Sequence, residues 1–375
     1  MTVTLCVERP DDDLWPAGLD PARRAYLEAL VGADLSTYVT NAPGSMVLAR
    51  VGDRVVPLVV GATRRSPGDT SLTSPTQYFA GIPKELIERC PRSLSRGPLS
   101  AAVGAWGRLC DGMRLDRVIH VNQWLLTSQP VCPLTAPELR ELTTAIEARY
   151  PGYAILVSHV GEAARPELEG VGYRSLFART VYVWDPRDGS ALGHANTRRD
   201  FKLLRKTKLR VEVARDPDAA LTARLSELYA KVYVEHYSAL NPRYTPAFFD
   251  LVIRAGLLQV QLVLDGPRVL GFSSLFSDEA ELVSSIVGHD LEEAKELGVY
   301  RLGQARLLEV ARDAKRPLDM SAGAGKFKSL RGAEPRDEVQ AIRADHLSIP
   351  RRGLWRALTA ANNRWAPGGY EKIGA

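Results

Sequence analysis

The stretch SMVLARVGDRVVPLVVGATR, residues 45–64, contains two β-branched runs separated by Gly52–Asp53, and it predicts a β-hairpin with a tight turn. A second stretch, GLLQVQLVLDGPRVLGFSSLFSD at residues 256–278, repeats this design around Asp265–Gly266. Because both stretches place apolar strands on each side of a Gly/Asp turn, we predict a duplicated fold. The alternative is that two unrelated hairpins are alike by chance.

Outside the hairpins, strand patterns alternate with helix patterns. Apolar strands are predicted at 117–126, 153–160, 176–185 and 281–290. Thr135 and Glu138 have the spacing of a capping box, and Thr245–Pro246 has the chemistry of a helix start. This alternation predicts an α/β protein with mixed sheets.

The chain of 375 residues is too long for one ordinary core, so two domains are expected. The segment Asp185–Gly193 is rich in Pro, Gly, Asp and Ser and is the best candidate linker. We therefore predict a first domain at 1–188, a second at 189–348 and a helical tail at 349–375.

Composition narrows the class of protein. Hydrophobic residues make up 45% and charged residues 25%, as in folded globular proteins. No run of eighteen apolar residues and no signal-peptide pattern occur, so a cytoplasmic protein is expected. The net charge of +5 permits a polyanionic partner without requiring one. The cysteines match neither a zinc motif nor a disulfide framework, so packing roles are expected for Cys6, Cys90, Cys110 and Cys132.

The second half carries a series of motifs in a fixed order. RRDFKLLRK (198–206), EHYSALNPRY (235–244), SSIVGHD (284–290) and GAGKFKSLRGAEP (323–335) follow one another around the second hairpin. With SPTQYFAG (74–81) in the first half, this order resembles the GNAT-fold acyltransferases of the FemAB type. The resemblance covers about residues 40–345. It implies two GNAT-like domains with a cleft between them, and transfer of an acyl group to an amine.

The resemblance assigns the main chemical role to GAGKFK (323–328). Acyl transfer builds negative charge on the carbonyl oxygen, and a fixed cation beside that oxygen lowers the barrier. Lys328 matches the family's Phe-Lys position, which implies oxyanion or leaving-group stabilisation. Phe327 would wall the site, Lys326 and Arg331 would contact phosphate, and the paired glycines would let the backbone pass close to the donor. The alternative is a glycine-rich turn with surface lysines.

A basic helix is predicted at 194–210, with Asp200 as its single acid. Arg198, Lys202 and Arg205 share one helical face, and Arg199 lies beside them. So dense a positive charge is unfavourable unless it is answered by a polyanion, such as a tRNA backbone, a nucleotide diphosphate or a CoA phosphate. A solvated basic face is the alternative.

The usual CoA-binding loop of the GNAT fold is not evident. The junction after the third strand of the second half reads GHDLEEAKELGVYRLGQAR (288–306), with acids crowding the expected pyrophosphate site. This departure favours a donor carried by tRNA or by a carrier protein.

Several further side chains are candidates for contact with substrate. Gln77 and Tyr78 lie in the first-half loop that carries the resemblance, and we expect them to contact the acceptor. The residues that could deprotonate an incoming amine are His236, Tyr237, Tyr244 and His289. Packing or capping is the alternative for each of these four.

The tail places Leu354, Leu358, Ala361 and Trp365 on one helical face, beside several arginines. We expect this helix to dock on its own protein, with contact to anionic lipid or RNA as the alternative.

Three functions follow from the resemblance and the basic helix. The first is an aminoacyl-tRNA-dependent ligase that acylates an amine of a small molecule or peptide, in natural-product or cell-wall assembly. The second is an N-acyltransferase that uses acyl-CoA or an acyl-carrier protein. The third is a non-catalytic RNA- or nucleotide-binding protein on a GNAT scaffold. No metal and no tightly held cofactor is predicted.

Overall fold

The structure is a computed structural model that describes residues 3–8, 10–62, 66–89, 96–161, 164–187 and 189–372, without the side chains of 293–295 and 368–372. Cys90 lies outside the described residues. The strands are β1 (Val3–Cys6), β2 (Gly44–Val51), β3 (Arg54–Gly61), β4 (Val118–Val121), β5 (Ala154–Val160), β6 (Arg174–Trp184), β7 (Arg210–Val213), β8 (Leu258–Asp265), β9 (Arg268–Ser277), β10 (Leu282–His289), β11 (Leu318–Asp319) and β12 (Glu334–Arg343).

The helices connect and cover these strands. The α-helices are α1 (Pro21–Leu30), α2 (Ile82–Arg89), α3 (Arg96–Gly112), α4 (Ala136–Arg149), α5 (Arg165–Gly170), α6 (Ser190–Gly193), α7 (Ala195–Lys206), α8 (Ala219–Tyr229), α9 (Pro246–Arg254), α10 (Leu291–Leu297), α11 (Val299–Ala314), α12 (Gly325–Ser329) and α13 (Ile349–Lys372). Two segments, Gln77–Gly81 and Ala230–Tyr237, are π-helical.

The strands form one sheet in the order β1-β2-β3-β4-β5-β12-β6-β11-β10-β9-β8-β7. Read inward from either edge, the first five strands of a half make three antiparallel pairs and then one parallel pair. The sixth strand of each half crosses over, so that β12 pairs with β5 and β6 pairs with β11. The predicted α/β class with two like halves is therefore confirmed.

The two exchanged strands form the centre of the molecule. β6 and β12 pair antiparallel from Val183↔Glu334 to Arg174↔Ile342. Because each half ends in a strand that lies beyond its own sheet, the halves interlock. The domain limits at 188 and 348 stay a prediction.

The duplication extends to single hydrogen bonds in α5 and α12. The carbonyl of Leu168 accepts a bond from the backbone N–H five residues on, at 3.0 Å, and the carbonyl of Lys328 does the same at 3.2 Å. Gly172 and Gly332 then follow at equal spacing, with φ of 89° and 86°. Leu168 of the first half therefore corresponds to Lys328 of the second.

Local sequence signals are confirmed where they concern turns and caps. Gly52 and Gly266 turn the two hairpins with φ of 57° and 54°. The backbone N–H of Thr135 donates to a carboxylate oxygen of Glu138 at 2.7 Å, and Thr245 caps α9.

Two elements of the structure differ from the sequence-based prediction. The sequence pattern predicts one long helix at about 291–314, but the structure divides this stretch into α10 and α11 at Gly298. The φ of Gly298, 66°, is incompatible with a continuous right-handed helix. The sequence RPLDMSAG (316–323) predicts a strand that begins at Arg316, but the paired strand is limited to β11. Met320 and Ser321 still exchange backbone hydrogen bonds with Tyr182 of β6, and the chain turns away at Ser321, whose φ is 67°.

The tail docks on the sheet, as expected, but through a different anchor. Trp355 and Leu358 are buried, and Asn363 bonds to the backbone of Phe177 in β6 at 2.8 Å. Trp365, which was predicted on the docked face, is 69% exposed. The docked face is thus formed by α13 up to Asn363.

Candidate active site

A wedge opens in the sheet between β10 and β11. The two strands pair only at Leu282↔Leu318 and Val283↔Asp319. The chain then turns away at Ser321, which has a φ of 67°. The rest of β10 therefore faces a gap, and a cavity of about 540 Å³ occupies it.

The cavity is lined mainly by the second half and is closed on one side by the first. The second-half lining residues are Val232, Tyr233, Tyr237, Asn241, Ser284, Ser285, Val287, His289, Leu291, Tyr300, Gln304, Met320, Ser321, Ala322, Gly323, Ala324 and Lys328. Thr127 and Arg179 are contributed by the first half. The site thus lies where the two halves meet.

Lys328 is the buried cation of this cavity, with an exposed fraction of 2%. Its ammonium donates to the carbonyls of Ser321 at 2.9 Å and Ala322 at 2.8 Å. Burial lowers the pKa of Lys328 to about 7; the charge of Asp319 partly offsets this effect, and that of Arg179 reinforces it. An ammonium has three donors, so one remains for a bound group.

The glycine-rich bend before Lys328 has a tightly constrained backbone, and Gly323 in this bend lines the cavity. Close approach of this backbone to a donor stays a prediction. A Cβ on Gly325 would lie 2.1 Å from the hydroxyl of Tyr182, so only glycine fits there. Gly323 has a φ of 74° and Ala324 a φ of 49°, so both residues adopt the left-handed conformation. This tight bend brings Lys328 back under the carbonyls to which it donates.

Arg179 braces the other side of the wedge. Its guanidinium donates to Glu338 on β12 at 2.8 Å and to the carbonyl of Thr127 at 2.8 Å. Thr127 donates in turn to the carbonyl of Ser285 on β10, at 2.5 Å. The first half is therefore hydrogen-bonded to the strand that borders the cavity.

Aromatic rings form the opposite wall. The rings of His289 and Tyr300 lie 5.5 Å apart, and Tyr233 and Tyr237 are one helical turn from each other on the π-helical segment. Burial lowers the pKa of His289 and raises the pKa of Tyr300 to about 12. A neutral imidazole at neutral pH has a nitrogen that can accept a proton.

The residues predicted around Lys328 fall in different places. Tyr237 lines the cavity, and Lys326 is exposed on α12. Phe327 packs between Tyr300, at 5.2 Å, and the guanidinium of Arg331, at 3.3 Å. Arg331 itself is buried and paired with Asp200, so the structure does not bring it to the cavity or leave it open for the phosphate expected from the sequence.

The basic helix α7 lies outside the cavity. Its buried Asp200 pairs with both Arg301 and Arg331, which explains the single acid in a basic stretch. The side chains predicted to bind phosphate are exposed on the outer face: Arg198, Arg199, Lys202 and Arg205. Phosphate binding by these four stays a prediction.

The other side chains predicted to contact substrate form hydrogen bonds within the protein. Gln77 is buried and donates to the carbonyl of Pro67 at 2.6 Å. The hydroxyl of Tyr78 donates to the carbonyl of Ala178 at 2.9 Å, and that of Tyr244 donates to the carbonyl of Leu125 at 2.8 Å. None of the three lines the cavity, because each side chain is held by the backbone of another element. His236 is exposed beside Tyr237.

A buried ionic cluster lies beneath the site. One ligand atom from each of His159, Glu281 and Asp319 falls within 4.8 Å of the others, which is a spacing that a metal ion could bridge. Arg336, however, donates to both carboxylates, at 2.9 Å to Glu281 and 3.3 Å to Asp319. The guanidinium already supplies the positive charge, so the cluster fits an internal ion-pair network better than a metal centre.

The start of α10 is the position at which the usual GNAT fold binds the CoA pyrophosphate, and the acids in this stretch argue against such binding here. Asp290 accepts a hydrogen bond there from the backbone N–H of Glu292, at 3.3 Å. Its other carboxylate oxygen lies 3.2 Å from Lys231 and 3.6 Å from Arg224. The helix end is thus capped by the protein's own carboxylate.

Sequence reasoning missed several lining residues. Ser284 and Ser285 belong to the motif SSIVGHD, which predicts a strand but no contact with a ligand, and no sequence signal points to Thr127. Arg179 is the one basic residue in the mostly apolar strand LFARTVYVWD. Its position is a usable signal, because a buried arginine requires a partner that balances its charge.

The fold defines a class: two GNAT-like units in tandem, joined through one continuous sheet. Among solved structures, the chain is similar to FemX at 11% identity and a TM-score of 0.46, with 64% of this chain and 82% of that chain covered. It is also similar to a tandem GNAT protein from the clavulanic acid biosynthesis pathway, at 12% identity and a TM-score of 0.40, with 91% and 98% covered.

A third similar structure is the C-terminal domain of a putative lysylphosphatidylglycerol synthetase from Agrobacterium fabrum. It shares 11% identity at a TM-score of 0.44, with 65% of this chain and 81% of that chain covered. No protein-family model and no curated protein sequence matches the chain. These likenesses concern the fold, so the functional proposal rests on the site.

Within the part of the chain that the structure describes, no helix combines the length and the apolar character needed to cross a membrane.

Proposed function

We propose that this protein is an acyltransferase that joins an activated acyl group to an amine. The observation that carries the proposal is Lys328, a buried ammonium with a pKa lowered to about 7 at the wall of a cavity of about 540 Å³. A cavity of this size suits a small-molecule substrate. A cation held in so dry a place stabilises developing negative charge strongly.

The reaction is direct transfer. A neutral amine attacks the carbonyl carbon of an ester or thioester, and a C–N bond forms as the carbonyl oxygen becomes an oxyanion. The C–O or C–S bond then breaks, and the leaving oxygen or sulfur receives a proton. Lys328 donates a hydrogen bond to the oxyanion, and the imidazole of His289 accepts the proton that the amine releases.

We propose aminoacyl-tRNA as the donor. Two observations support it: the carboxylate of Asp290 occupies the helix end at which a CoA pyrophosphate would bind, and α7 presents an exposed row of cations. An acyl-CoA or acyl-carrier-protein donor is the second candidate. It remains chemically consistent with Lys328, because a thioester carbonyl develops the same oxyanion.

The test is a transfer assay in which charged tRNA, acetyl-CoA and an acyl-carrier protein are each offered with a panel of primary amines. We expect product from charged tRNA, and a loss of roughly 10²–10³-fold in turnover for Lys328→Ala. Lys328→Arg is the matched control that keeps a cation. Unchanged turnover in Lys328→Ala would remove the lysine from the mechanism, and donor binding without product in every arm would favour the non-catalytic alternative.

A further inference from the structure

A surface of arginines and tyrosines lies at the end of the first half where β4 and β5 begin. These strands are parallel and pair at Val118↔Ala154, so the residues just before them are neighbours. The backbone N–H of Ala154 donates to the carbonyl of Arg117, at 2.9 Å. We name the arginine–tyrosine surface by its members: Arg114, Arg117, Arg149, Tyr150, Tyr153 and Arg351.

The members are linked by ring contacts. The guanidinium carbon of Arg117 lies 5.7 Å from the ring centre of Tyr153, and that of Arg149 lies 5.2 Å from the ring centre of Tyr150. The two tyrosine rings are 6.0 Å apart. Arg351, at the start of α13, donates to the carbonyl of Arg114 at 3.1 Å. Arg351 also donates to the carbonyl of Gly152, between the two tyrosines, so the contacts form one continuous patch.

The described part of the protein supplies no carboxylate that neutralises the positive charge of this patch. Among the described residues, no carboxylate lies within ion-pair distance of any of its four arginines. The acids nearest the patch have other partners: Asp116 accepts hydrogen bonds from Ser74 and Thr76. Glu147 pairs with Arg343, and Asp345 pairs with Arg356. Burial and repulsion from Arg117 and Arg114 lower the pKa of Arg351. The Nε atoms of Arg117 and Arg351 are buried without a hydrogen-bond partner.

We propose that the arginine–tyrosine surface binds a single-stranded nucleic-acid segment. Guanidinium groups neutralise backbone phosphates, and half-exposed tyrosine rings offer faces on which bases stack. The aromatic component distinguishes this ligand from free phosphate, which would use the charge alone, and the vesicle arm of the test below separates it from a lipid surface. The surface is separate from the cavity and from α7, so it is an additional contact whether the donor is tRNA or a thioester.

The test measures binding without turnover, so its outcome is independent of the acyl-transfer proposal. The full chain is titrated into fluorescein-labelled RNA and DNA oligonucleotides of about 16 nucleotides. We expect Arg117→Ala with Arg149→Ala to weaken binding about tenfold near 0.1 M salt, and to lower the salt slope by roughly 0.7 per lost phosphate contact. Comparing the two oligonucleotides identifies which nucleic acid is preferred.

Controls separate the surface from general effects. Arg254→Ala removes an exposed arginine that is paired with Asp250 in the other half, and it should leave affinity and salt slope unchanged. Tyr150→Leu should weaken oligonucleotide binding several-fold while leaving binding of inorganic polyphosphate intact. Unchanged affinity in the double arginine variant, with the thermal unfolding temperature preserved, would overturn the proposal. Binding to phosphatidylserine vesicles through these arginines, with no binding to either oligonucleotide, would also overturn it.

Discussion

The same wedge occurs in both halves, but only the second has the cavity described above. In the first half, β4 and β5 pair at four positions, and the following chain then folds back across the gap. Asn122 donates to the carbonyls of Pro130 at 2.9 Å and Ser158 at 3.2 Å. The backbone N–H of Cys132 donates to the backbone carbonyl of His159 at 2.8 Å. In the second half, the corresponding gap holds the cavity.

The side chains follow the same contrast. Leu168 and Lys328 occupy corresponding places, with matching backbone hydrogen bonds, yet one is an apolar core residue and the other is a buried ammonium. A duplicated fold can therefore keep one copy as a closed, stable unit while the other accepts the cost of a polar site. Changes to either copy should show this division directly.

The largest effect on stability is expected where the open wedge is braced. Arg179→Ala leaves the carboxylate of Glu338 buried without its cation, and this should cost about 3–5 kcal/mol of unfolding free energy. In the closed wedge, Asn122→Ala removes neutral hydrogen bonds and should cost about 1–3 kcal/mol. Chemical denaturation of both variants measures the difference. Equal losses would mean that the open wedge does not depend on its ion pair.

The next largest effect is an increase in stability. Lys328→Leu gives the second half the residue of the first, and it should increase unfolding free energy at pH 7 by about 2–4 kcal/mol. In the transfer assay proposed above, its turnover should fall by roughly the same 10²–10³-fold as that of Lys328→Ala. The folded chain releases this proton near pH 7, whereas the unfolded lysine holds it to about pH 10.5.

The unmodified chain therefore gains stability as the pH rises between these values, and the advantage of the leucine variant shrinks. Thermal melts at pH 6, 8 and 10 check this trend. A constant difference would show that folding does not lower the pKa of Lys328. Leu168→Met is the control in the other copy.

A smaller contrast is expected between two corresponding glycines. Both Gly172 and Gly332 have positive φ, so alanine costs about 1–2 kcal/mol at each. At Gly332 the new Cβ would also lie 2.9 Å from the backbone of Ala191, whereas at Gly172 it meets the flexible end of Arg343. Gly332→Ala should therefore lower the melting temperature further than Gly172→Ala. The reverse order would contradict the described packing around α6.

The smallest effect concerns the outer face of α7. Lys202→Ala should change unfolding free energy by less than about 0.5 kcal/mol, because the side chain is exposed. If this helix contacts tRNA, affinity for charged tRNA should fall a few-fold and the salt slope should decrease by about one. Binding assays at two salt concentrations decide it, with Arg165→Ala in the first half as the matched exposed control.

Much of the fold could be predicted because its signals are local. The hairpin turns at Gly52 and Gly266, the capping box at Thr135 and the start of α9 each depend on residues within one turn of each other. The exchange of β6 and β12 could not be predicted, because strand partners far apart in sequence leave no local pattern.

The site was partly predictable for the same reason. Lys328 was predicted through the resemblance of GAGKFK to the family's Phe-Lys segment, and the structure places its side chain at the cavity. Arg331, only three residues away, was equally basic in sequence, but its partner Asp200 lies 131 residues earlier and became evident only in the folded chain. The serines of β10 begin the motif SSIVGHD, but they carry no charge and no assigned role there, so nothing in the sequence predicted that they line a cavity.

The crossing of the last strands has a consequence for how the polypeptide could be divided. If the chain were cut in the connection that follows β6, each fragment would end in a strand whose neighbours belong to the other fragment. Neither piece could complete its own sheet, and each would offer the other its missing edge. Separately produced fragments should therefore associate into one complex that is held together by strand pairing, without a peptide bond between them.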